Sequence, residues 1–464
     1  TTLPPSTKEG LRSEEILKGQ IVEKIVCADA PNQSYALYLP ANYSTRRKWP
    51  VLYAFDPAAR GQIPVERFRE AAERFGWIVV GSNNSRNGDF QPSIDAWNAI
   101  VNDTHQRFEI DDARTYVAGF SGGARLAFYF AIRCSGCIAG VISSGAGFPS
   151  GVTPSPALHF AVFTATGIED FNFGEVKSLN DALSKAGMAH RTQVFPGRHD
   201  WPPSFVAIEA LEWMELQAMK SGKRTRDDAL IESIWQTRLQ QARDLEASHQ
   251  TFGAYQTYAA LADGFQGLRD TTTVAKAANQ LHQTNEVRSA IRDELQQIKK
   301  QREIETRFYA GLVARERNSG EEIGSTDGVD PETRRTQIVA ELRKQAALTA
   351  DTGERRIARR VLEGLFISLF EQGVSQLQAL KHYDDAVRSF KLATEVNPER
   401  PGAFFYLAWA YAARGDRKQA LRALQAATDK NFSDLKAIEG NKAFDSIRAE
   451  AQYQEIIKTL QSRH

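Results

Sequence analysis

The sequence lacks an excess of charge of either sign, and it lacks a long apolar run. Its 58 lysine and arginine residues are balanced by 57 aspartate and glutamate residues, which leaves a net charge of +1 over 464 residues. A near-neutral chain gives no indication of a nucleic-acid partner or of binding to an anionic membrane surface. No apolar run reaches the length that spans a bilayer. The remaining composition is that of a globular protein, and the length predicts two or three domains.

Cysteine is scarce as well, with Cys27, Cys134 and Cys137 as its only occurrences. The C-x-x-C pair of Cys134 and Cys137 lacks both the thioredoxin-like context of a redox centre and two further nearby ligands for zinc. We therefore expect no metal and no organic cofactor. We interpret the pair as a small structural disulfide or as two buried thiols.

These cysteines and the start of the chain bear on its location. A disulfide favours an oxidising compartment. The chain begins at Thr1 without a methionine, as a processed protein or a trimmed one would. A periplasmic or extracellular location is therefore the expectation, with the cytoplasm as the alternative.

The strongest motif is G-x-S-x-G over 119–123, with Ser121 at its centre. Residues 114–118 before it are β-branched, aromatic and small and predict a buried strand, whereas residues 124–131 predict a helix. A strand, a sharp turn that carries a serine, and a helix together form a nucleophile elbow. Gly119 and Gly123 are small for a steric reason, and the helix directs its N–H groups and positive dipole end at the reaction centre.

Two later strands end in residues that complete a catalytic set. One strand precedes Glu169 and Asp170, and the next precedes His199. In hydrolases with a nucleophile elbow the chain order is serine, acid, histidine, and the carboxyl ends of parallel strands are where such sheets place their sites. Asp170 is the predicted acid with Glu169 as its rival. His199 is the predicted base, and a capped loop histidine is the alternative interpretation.

This constellation resembles the α/β-hydrolase fold. Over residues 20–220 it is similar to compact esterases of the feruloyl esterase, polyhydroxybutyrate depolymerase and dienelactone hydrolase kind. The resemblance implies that Ser121 is the nucleophile, that His199 is its base, and that Asp170 fixes the imidazole tautomer. It implies hydrolysis of a small or polymer-linked carboxylic ester through an acyl-enzyme. A serine peptidase is one alternative, and a non-catalytic scaffold whose helical repeats bind a protein partner is another.

An oxyanion hole needs two N–H donors, one from Gly122 and one from the loop after an earlier strand. The related esterases usually carry His-Gly where this chain has Asp56-Pro57. Because proline has no N–H, Ala58 becomes the predicted second donor. Asp56 is expected to orient this loop and Arg60 to meet an anionic substrate, unless both belong to an ordinary Asp-Pro turn with a solvated arginine.

Strands and helices alternate over residues 1–220, which predicts a mostly parallel sheet covered on both faces. We assign residues 1–220 to the α/β-hydrolase catalytic domain. Only residues 145–158 fill the gap between the sixth and seventh strands, so this domain is predicted to have no lid of its own.

Residues 221–464 predict an all-α domain, because proline becomes sparse and helix-forming residues dominate. Ala386, Phe390 and Ala393 are followed 34 residues later by Ala420, Leu424 and Ala427. The pattern resembles the tetratricopeptide repeat and is clearest over 370–432.

The rest of this region predicts one long helix over 280–317 and a loop over 318–330. The segment after Ser221 is expected either to pack near the mouth of the site and define substrate access, or to bind a protein partner or a second copy elsewhere.

Overall fold

The computed structural model describes residues 16–134, 136–317 and 331–463. The chain forms two compact units, the first up to Gln296 and the second from Gln297. The domain boundary predicted between 220 and 221 falls inside the first unit, where the α/β part passes into helices. The first residues of the chain and the predicted loop over 318–330 lie outside the described residues.

The first unit is built on an eight-stranded sheet in the described part of the chain. Its strands are β1 (Ile21–Cys27), β2 (Ala30–Tyr38), β3 (Trp49–Phe55), β4 (Ile78–Ser82), β5 (Ile110–Phe120), β6 (Gly140–Ser144), β7 (Ala161–Gly167) and β8 (His190–Phe195). They lie in the order β1-β2-β4-β3-β5-β6-β7-β8. The pairs β1–β2 and β2–β4 are antiparallel and the others are parallel. This confirms the predicted mostly parallel sheet.

Helices cover both faces of this sheet, as strand–helix alternation requires. They are α1 (Gln62–Phe75), α2 (Phe90–Arg107), α3 (Gly122–Arg133), α4 (Phe173–Lys185) and α5 (Ser204–Lys220). Side chains of α2, α3 and α4 share one apolar core with the sheet, and those of α1 and α5 share the other. The central strands β3, β4, β6 and β7 are buried along their whole length, which is typical of parallel strands covered on both sides.

Three further helices belong to the first unit and pack with α5. They are α6 (Asp228–Ala247), α7 (Thr251–Gly264) and α8 (Thr272–His282). Leu216 and Met219 of α5 share an apolar core with residues of α6, α7 and α8, among them Trp235 and Tyr258. The first unit therefore contains the sheet domain and also the helices α6, α7 and α8 that follow α5.

The helix α5 also carries a buried acidic stripe, which consists of Glu209, Glu212 and Glu215 at 4%, 2% and 0% exposure. Nη1 of Arg238 in α6 lies 2.9 Å from Oε1 of Glu209, and the same guanidinium pairs with Glu212. Further arginines paired with the stripe are Arg74, Arg114, Arg191 and Arg224. Buried carboxylates need such partners, because an unpaired charge in the interior is costly.

The remaining helices are α9 (Asn285–Arg317), α10 (Pro331–Ala346), α11 (Gly353–Val374), α12 (Tyr383–Val396), α13 (Pro401–Arg414), α14 (Arg417–Asp429), α15 (Leu435–Glu439) and α16 (Ala451–Gln461). Consecutive helices from α10 to α14 pack against one another. The single helix predicted over 280–317 is wrong at its start, because α8 ends at His282 and α9 begins at Asn285. The tetratricopeptide character of 370–432 stays a prediction. Within the described residues, no helix is both long and apolar enough to cross a membrane.

Candidate active site

The turn between β5 and α3 holds Ser121 in an unusual backbone conformation, with φ of 54° and ψ of −122°. Side chains other than glycine rarely adopt a positive φ, and such strain concentrates at functional sites. The N–H of Ser121 donates to the carbonyl of Ser144 at the end of β6, at 2.8 Å. The hydroxyl of Ser121 makes no capping hydrogen bond to α3 among the described residues. The serine is thus held by its backbone, with its side chain left for other contacts.

Close packing around this turn explains the two flanking glycines. A Cβ at Gly119 would collide with the carbonyl of Gly123, and a Cβ at Gly123 would collide with the carbonyl of Phe55 at the end of β3. The steric reason predicted for these glycines is therefore present, and it includes the neighbouring strand as well as the turn itself.

His199 and Asp170 are joined by a hydrogen bond between Nδ1 of the imidazole and Oδ1 of the carboxylate, at 2.9 Å. Asp170 follows β7 and is 1% exposed, whereas His199 follows β8 with 11% of its side chain exposed. Oδ1 of Asp170 also accepts the N–H of Asn172 at 2.8 Å. The structure thus brings together the predicted acid and the predicted base.

The surroundings of this pair connect it to the turn that carries Ser121. The ring of Phe120, which precedes the serine, lies 4.5 Å from the imidazole of His199, and the ring of Phe171 lies 4.2 Å from it. A Cβ at Gly145, whose φ is +64°, would lie 2.8 Å from Oδ2 of Asp170 and 3.1 Å from the imidazole. The imidazole therefore packs against two aromatic rings and lies close to Gly145, where a side chain would not fit.

Among the described residues, the hydroxyl of Ser121 and the imidazole of His199 are not joined by a hydrogen bond. Catalytic hydrogen bonds are often long before substrate binds, and they tighten in the complex. Ser121, Asp170 and His199 follow the ends of β5, β7 and β8, and of the three side chains those of His199 and Asp170 are hydrogen-bonded to each other.

The rival acid Glu169 faces elsewhere. Its Oε2 lies 3.6 Å from Nε of Arg198, and its N–H donates to the carbonyl of Gly197 at 2.8 Å. Of the two adjacent acids, only Asp170 is hydrogen-bonded to the imidazole in the described structure. The contact with the imidazole favours Asp170, and its role as the acid stays a prediction.

The N–H groups of the two predicted oxyanion donors differ in their contacts. Gly122 opens α3, where the first N–H groups of a helix have no partner within the helix. The N–H of Ala58, in contrast, donates to Oδ1 of Asp56 at 2.8 Å. The N–H of Ala59 donates to the carbonyl of Asp56 at 3.2 Å. The prediction for Ala58 did not allow for this turn, in which the N–H is engaged within its own loop.

Asp56 is fully buried and accepts hydrogen bonds from within this loop, which fits both the orienting role and the ordinary Asp-Pro turn. Nε and Nη2 of Arg60 donate to its two carboxylate oxygens at 2.9 and 3.0 Å, and these hydrogen bonds raise the pKa of the Arg60 guanidinium above its ordinary value. Nε1 of Trp201 donates to Oδ2 of Asp56 at 2.9 Å. Trp201 lies two residues after His199, so one carboxylate ties the loop after β3 to the loop that carries the histidine.

The cysteines lie apart from these contacts. Cys134 and Cys137 form a disulfide at the end of α3, and both residues are exposed. The interpretation as a disulfide therefore agrees with the structure, whereas buried thiols do not. Cys27 is free and buried, and burial raises the pKa of its thiol to about 12.

No protein-family model matches the chain, and no curated protein matches it. Solved structures do match. S-formylglutathione hydrolase from Staphylococcus aureus is 16% identical with a TM-score of 0.35, covering 44% of this chain and 99% of its own. The feruloyl esterase module from Clostridium thermocellum, complexed with sinapinate, is 17% identical with a TM-score of 0.34, covering 45% of this chain and 90% of its own. Dipeptidyl peptidase 4 from Porphyromonas gingivalis is 13% identical with a TM-score of 0.33, covering 42% of this chain and 35% of its own.

Proposed function

We propose that this protein is a serine hydrolase that cleaves carboxylic esters through an acyl-enzyme. The observation that carries the proposal is the hydrogen-bonded pair of His199 and Asp170 at the sheet edge where Ser121 occupies its turn. A serine hydroxyl is a weak nucleophile at neutral pH and needs such a base beside it. The strand-end placement of all three residues is that of hydrolases with a nucleophile elbow.

In the acylation step, Nε2 of His199 takes the proton of the Ser121 hydroxyl while Oγ attacks the ester carbonyl carbon. A tetrahedral intermediate forms, and its negative oxygen receives the N–H of Gly122 and the positive end of the α3 dipole. The bond to the alcohol oxygen then breaks, and His199 returns the proton to the leaving alcohol. Asp170 holds Nδ1–H in place and stabilises the imidazolium during both transfers.

Deacylation repeats these steps with water. His199 takes a proton from the water as its oxygen attacks the acyl carbon, and the bond between that carbon and Oγ of Ser121 breaks. The serine regains its proton from the imidazolium, and a carboxylic acid leaves. The rings of Phe120 and Phe171 pack against the imidazole throughout these steps.

The absence of a lid within the sheet domain favours an ester substrate with a bulky or polymer-linked group. The fully described residues 145–160 between β6 and β7 contain no helix or strand. Lids normally complete the substrate pocket and exclude water. We propose that the acyl or alcohol group extends beyond the edge of the sheet.

The test is labelling with a fluorophosphonate, which reacts with an activated serine, followed by turnover of a panel of acetyl, aryl and feruloyl esters and of peptide anilides. We expect label on Ser121, none on the Ser121→Ala variant, and turnover of esters. Turnover of anilides alone would indicate the serine peptidase. A wild-type protein that neither takes up label nor turns over a substrate would indicate the scaffold.

The helices after 220 and the location of the protein are proposed on separate grounds. We propose that 221–464 contains tetratricopeptide-like repeats and serves either substrate access or association with a protein partner or second copy. The exposed disulfide at Cys134 and Cys137 supports a periplasmic or extracellular location, because disulfides persist in oxidising compartments.

A further inference from the structure

The two carboxylate oxygens of Asp170 have different surroundings. Oδ1 lies 2.9 Å from Nδ1 of His199 and accepts the N–H of Asn172 at 2.8 Å. Oδ2 is buried and accepts no hydrogen bond within the part of the chain that the structure describes. It faces Gly145 instead, where a Cβ would lie 2.8 Å from it. The backbone of Gly145 therefore bounds the space that the carboxylate occupies.

Gly145 is held in place from two sides. Its N–H donates to the carbonyl of Ala165 in β7 at 2.8 Å. Its carbonyl accepts a hydrogen bond from Nδ2 of Asn172 at 2.7 Å. The first hydrogen bond joins two backbone groups, whereas the second depends on a side chain. A substitution at Asn172 can therefore remove one of these supports without changing the acid, the base or Gly145.

Asn172 directly precedes α4 and lies two residues after Asp170. Its backbone N–H binds the carboxylate, and its side chain binds the loop after β6. Only the NH₂ end of an asparagine amide can donate to a carbonyl, so the hydrogen bond to Gly145 also determines which way the amide points. One residue thus connects the acid to the backbone that bounds its carboxylate.

We propose that Asn172 is a positioning residue that keeps the carboxylate of Asp170 directed at the imidazole of His199. This inference rests on the proposed function. When His199 takes the proton of Ser121, positive charge develops on the imidazole, and a carboxylate already in place stabilises that charge without first having to move. Without the hydrogen bond to Asn172, the backbone of Gly145 can shift and the space beside Oδ2 widens. The carboxylate can then turn away from Nδ1, and the imidazolium is less stabilised in the transition state.

The experiment measures kcat and KM for Asn172→Ala and Asn172→Asp in the full-length chain, with the best ester of the panel. Asn172→Ala removes the amide, whereas Asn172→Asp keeps its shape but presents an acceptor to the carbonyl of Gly145. We expect kcat to fall by roughly 10- to 100-fold in Asn172→Ala and at least as far in Asn172→Asp, because small displacements of catalytic groups have effects of this size. KM should change by less than about threefold, because the acid acts in the transition state.

Asn180→Ala is the matched control. Asn180 lies in α4 and is half-buried like Asn172, and its Oδ1 accepts the hydroxyl of Thr192 at 2.8 Å. Its replacement removes a hydrogen bond of the same kind that is directed at β8 rather than at Gly145. We expect Asn180→Ala to keep the wild-type kcat.

A double-mutant cycle separates positioning of the acid from general support of the fold. Asn172→Ala is also made in the Asp170→Asn chain, and the rate at which a fluorophosphonate labels Ser121 is compared in the four proteins. If Asn172 acts through the acid, its replacement should slow labelling by about 10-fold or more in the wild-type chain, but by less than about twofold where the carboxylate is already gone. A residue that only supports the fold would slow both chains by the same factor. If Asn172→Ala does not fold, Asn172→Asp takes its place in the cycle.

Three results overturn the assignment of Asn172 alone. The first is an active wild-type protein with both variants within about twofold of its kcat. The second is an equal loss of labelling rate with and without the carboxylate of Asp170. The third is a slow Asn172→Ala beside a normal Asn172→Asp, which would assign the effect to side-chain volume. A wild-type protein that is not labelled at Ser121 and turns over no ester overturns the proposed function as well.

Discussion

Ser121 occupies a backbone conformation with positive φ that the turn between β5 and α3 imposes on whichever residue stands there. Its N–H is held by Ser144, and this bond does not depend on the hydroxyl. His199 is held through Asp170 and by two aromatic rings. The side chain of Ser121 can therefore be replaced without removing the hydrogen bond that fixes its backbone.

The first prediction concerns the nucleophile and the base. Ser121→Ala and His199→Ala should each lower kcat by on the order of 10⁴-fold, because the two groups act as one unit. The thermal midpoint of Ser121→Ala should stay close to that of wild type. Steady-state kinetics on a purified ester substrate and thermal unfolding measure both effects. Ester turnover near the wild-type rate in Ser121→Ala would contradict the assignment.

The second prediction separates Asp170 from Glu169. Asp170→Asn should lower kcat by roughly 10⁴-fold, because the amide leaves the imidazole in the wrong tautomer. Glu169→Gln is the matched control and should stay within a few-fold of wild type, since its carboxylate lies beside Arg198 rather than on the imidazole. The reverse pattern of activities would show that the neighbouring glutamate is the acid.

The sequence predicts Ser121, Asp170 and His199 because each lies just after a predicted strand. It does not predict the long-range contacts that hold their loops together. Trp201 and Asp56 are 145 positions apart, and no local pattern indicates their hydrogen bond. Ala58 is predicted as a donor from its place after Pro57, but the turn that engages its N–H depends on the side chain of Asp56.

At the scale of elements, two loops at the sheet edge act as a pair. The loop after β3 is fixed by the carboxylate of Asp56, and the loop after β8 is attached to it through Trp201. The indole nitrogen lies in a buried ring of 2% exposure, so its hydrogen bond has no solvent substitute. Contacts of this kind position catalytic groups without touching substrate.

The third prediction tests this connection. Asp56→Ala should destabilise the protein by about 1–3 kcal/mol, because it leaves the indole N–H of Trp201 buried without an acceptor. It should also lower kcat, because the loop that carries His199 loses its anchor. Asp95→Ala is the control, because that aspartate is exposed on α2 and the indole keeps its acceptor. Equal thermal midpoints for Asp56→Ala and wild type would contradict the prediction.

The bounds of helices and strands are predictable where a local sequence pattern sets them and are missed where long-range packing sets them. The strand before Ser121 and the helix after it are predicted because apolar residues run continuously on both sides of the glycine-rich turn. The break between α8 and α9 is missed because residues 280–317 read as uniform helix formers, whereas the chain turns at 283–284. Helix propensity does not encode where a helix must bend back to bury its apolar face.

At the scale of the whole chain, the sheet does not form a unit that ends with α5. The acidic stripe of Glu209, Glu212 and Glu215 is buried, and two of its arginine partners, Arg224 and Arg238, come after residue 220. Composition changes at 221, and for that reason the sequence places a boundary there. The ion pairs and the apolar core shared with α6, α7 and α8 extend the first compact unit to Gln296.

The fourth prediction compares two truncated chains. A chain of residues 1–296 should fold with a cooperative thermal transition. A chain of residues 1–220 should be less stable by several kcal/mol, because removing one partner of a buried ion pair costs about 3–5 kcal/mol. Circular dichroism during heating measures the difference. Equal stability of the two chains would show that the pairs with Arg224 and Arg238 contribute nothing.

A comparison of the 1–296 chain with the full chain tests the role of the remaining helices. If 297–464 helps define substrate access, the 1–296 chain should lose the preference of the full chain between small and bulky esters. Unchanged kcat/KM for both kinds of ester would assign the second unit to partner binding or self-association instead.

Two glycines beside Ser121 have a consequence for how this protein could change over evolutionary time. Gly119 and Gly123 each face a backbone carbonyl that leaves no space for a side chain. A mutation at either glycine is therefore expected to be selected against because the larger side chain does not fit, whatever the substrate. Changes in the proposed substrate preference are therefore expected at other positions, which are not subject to this steric limit.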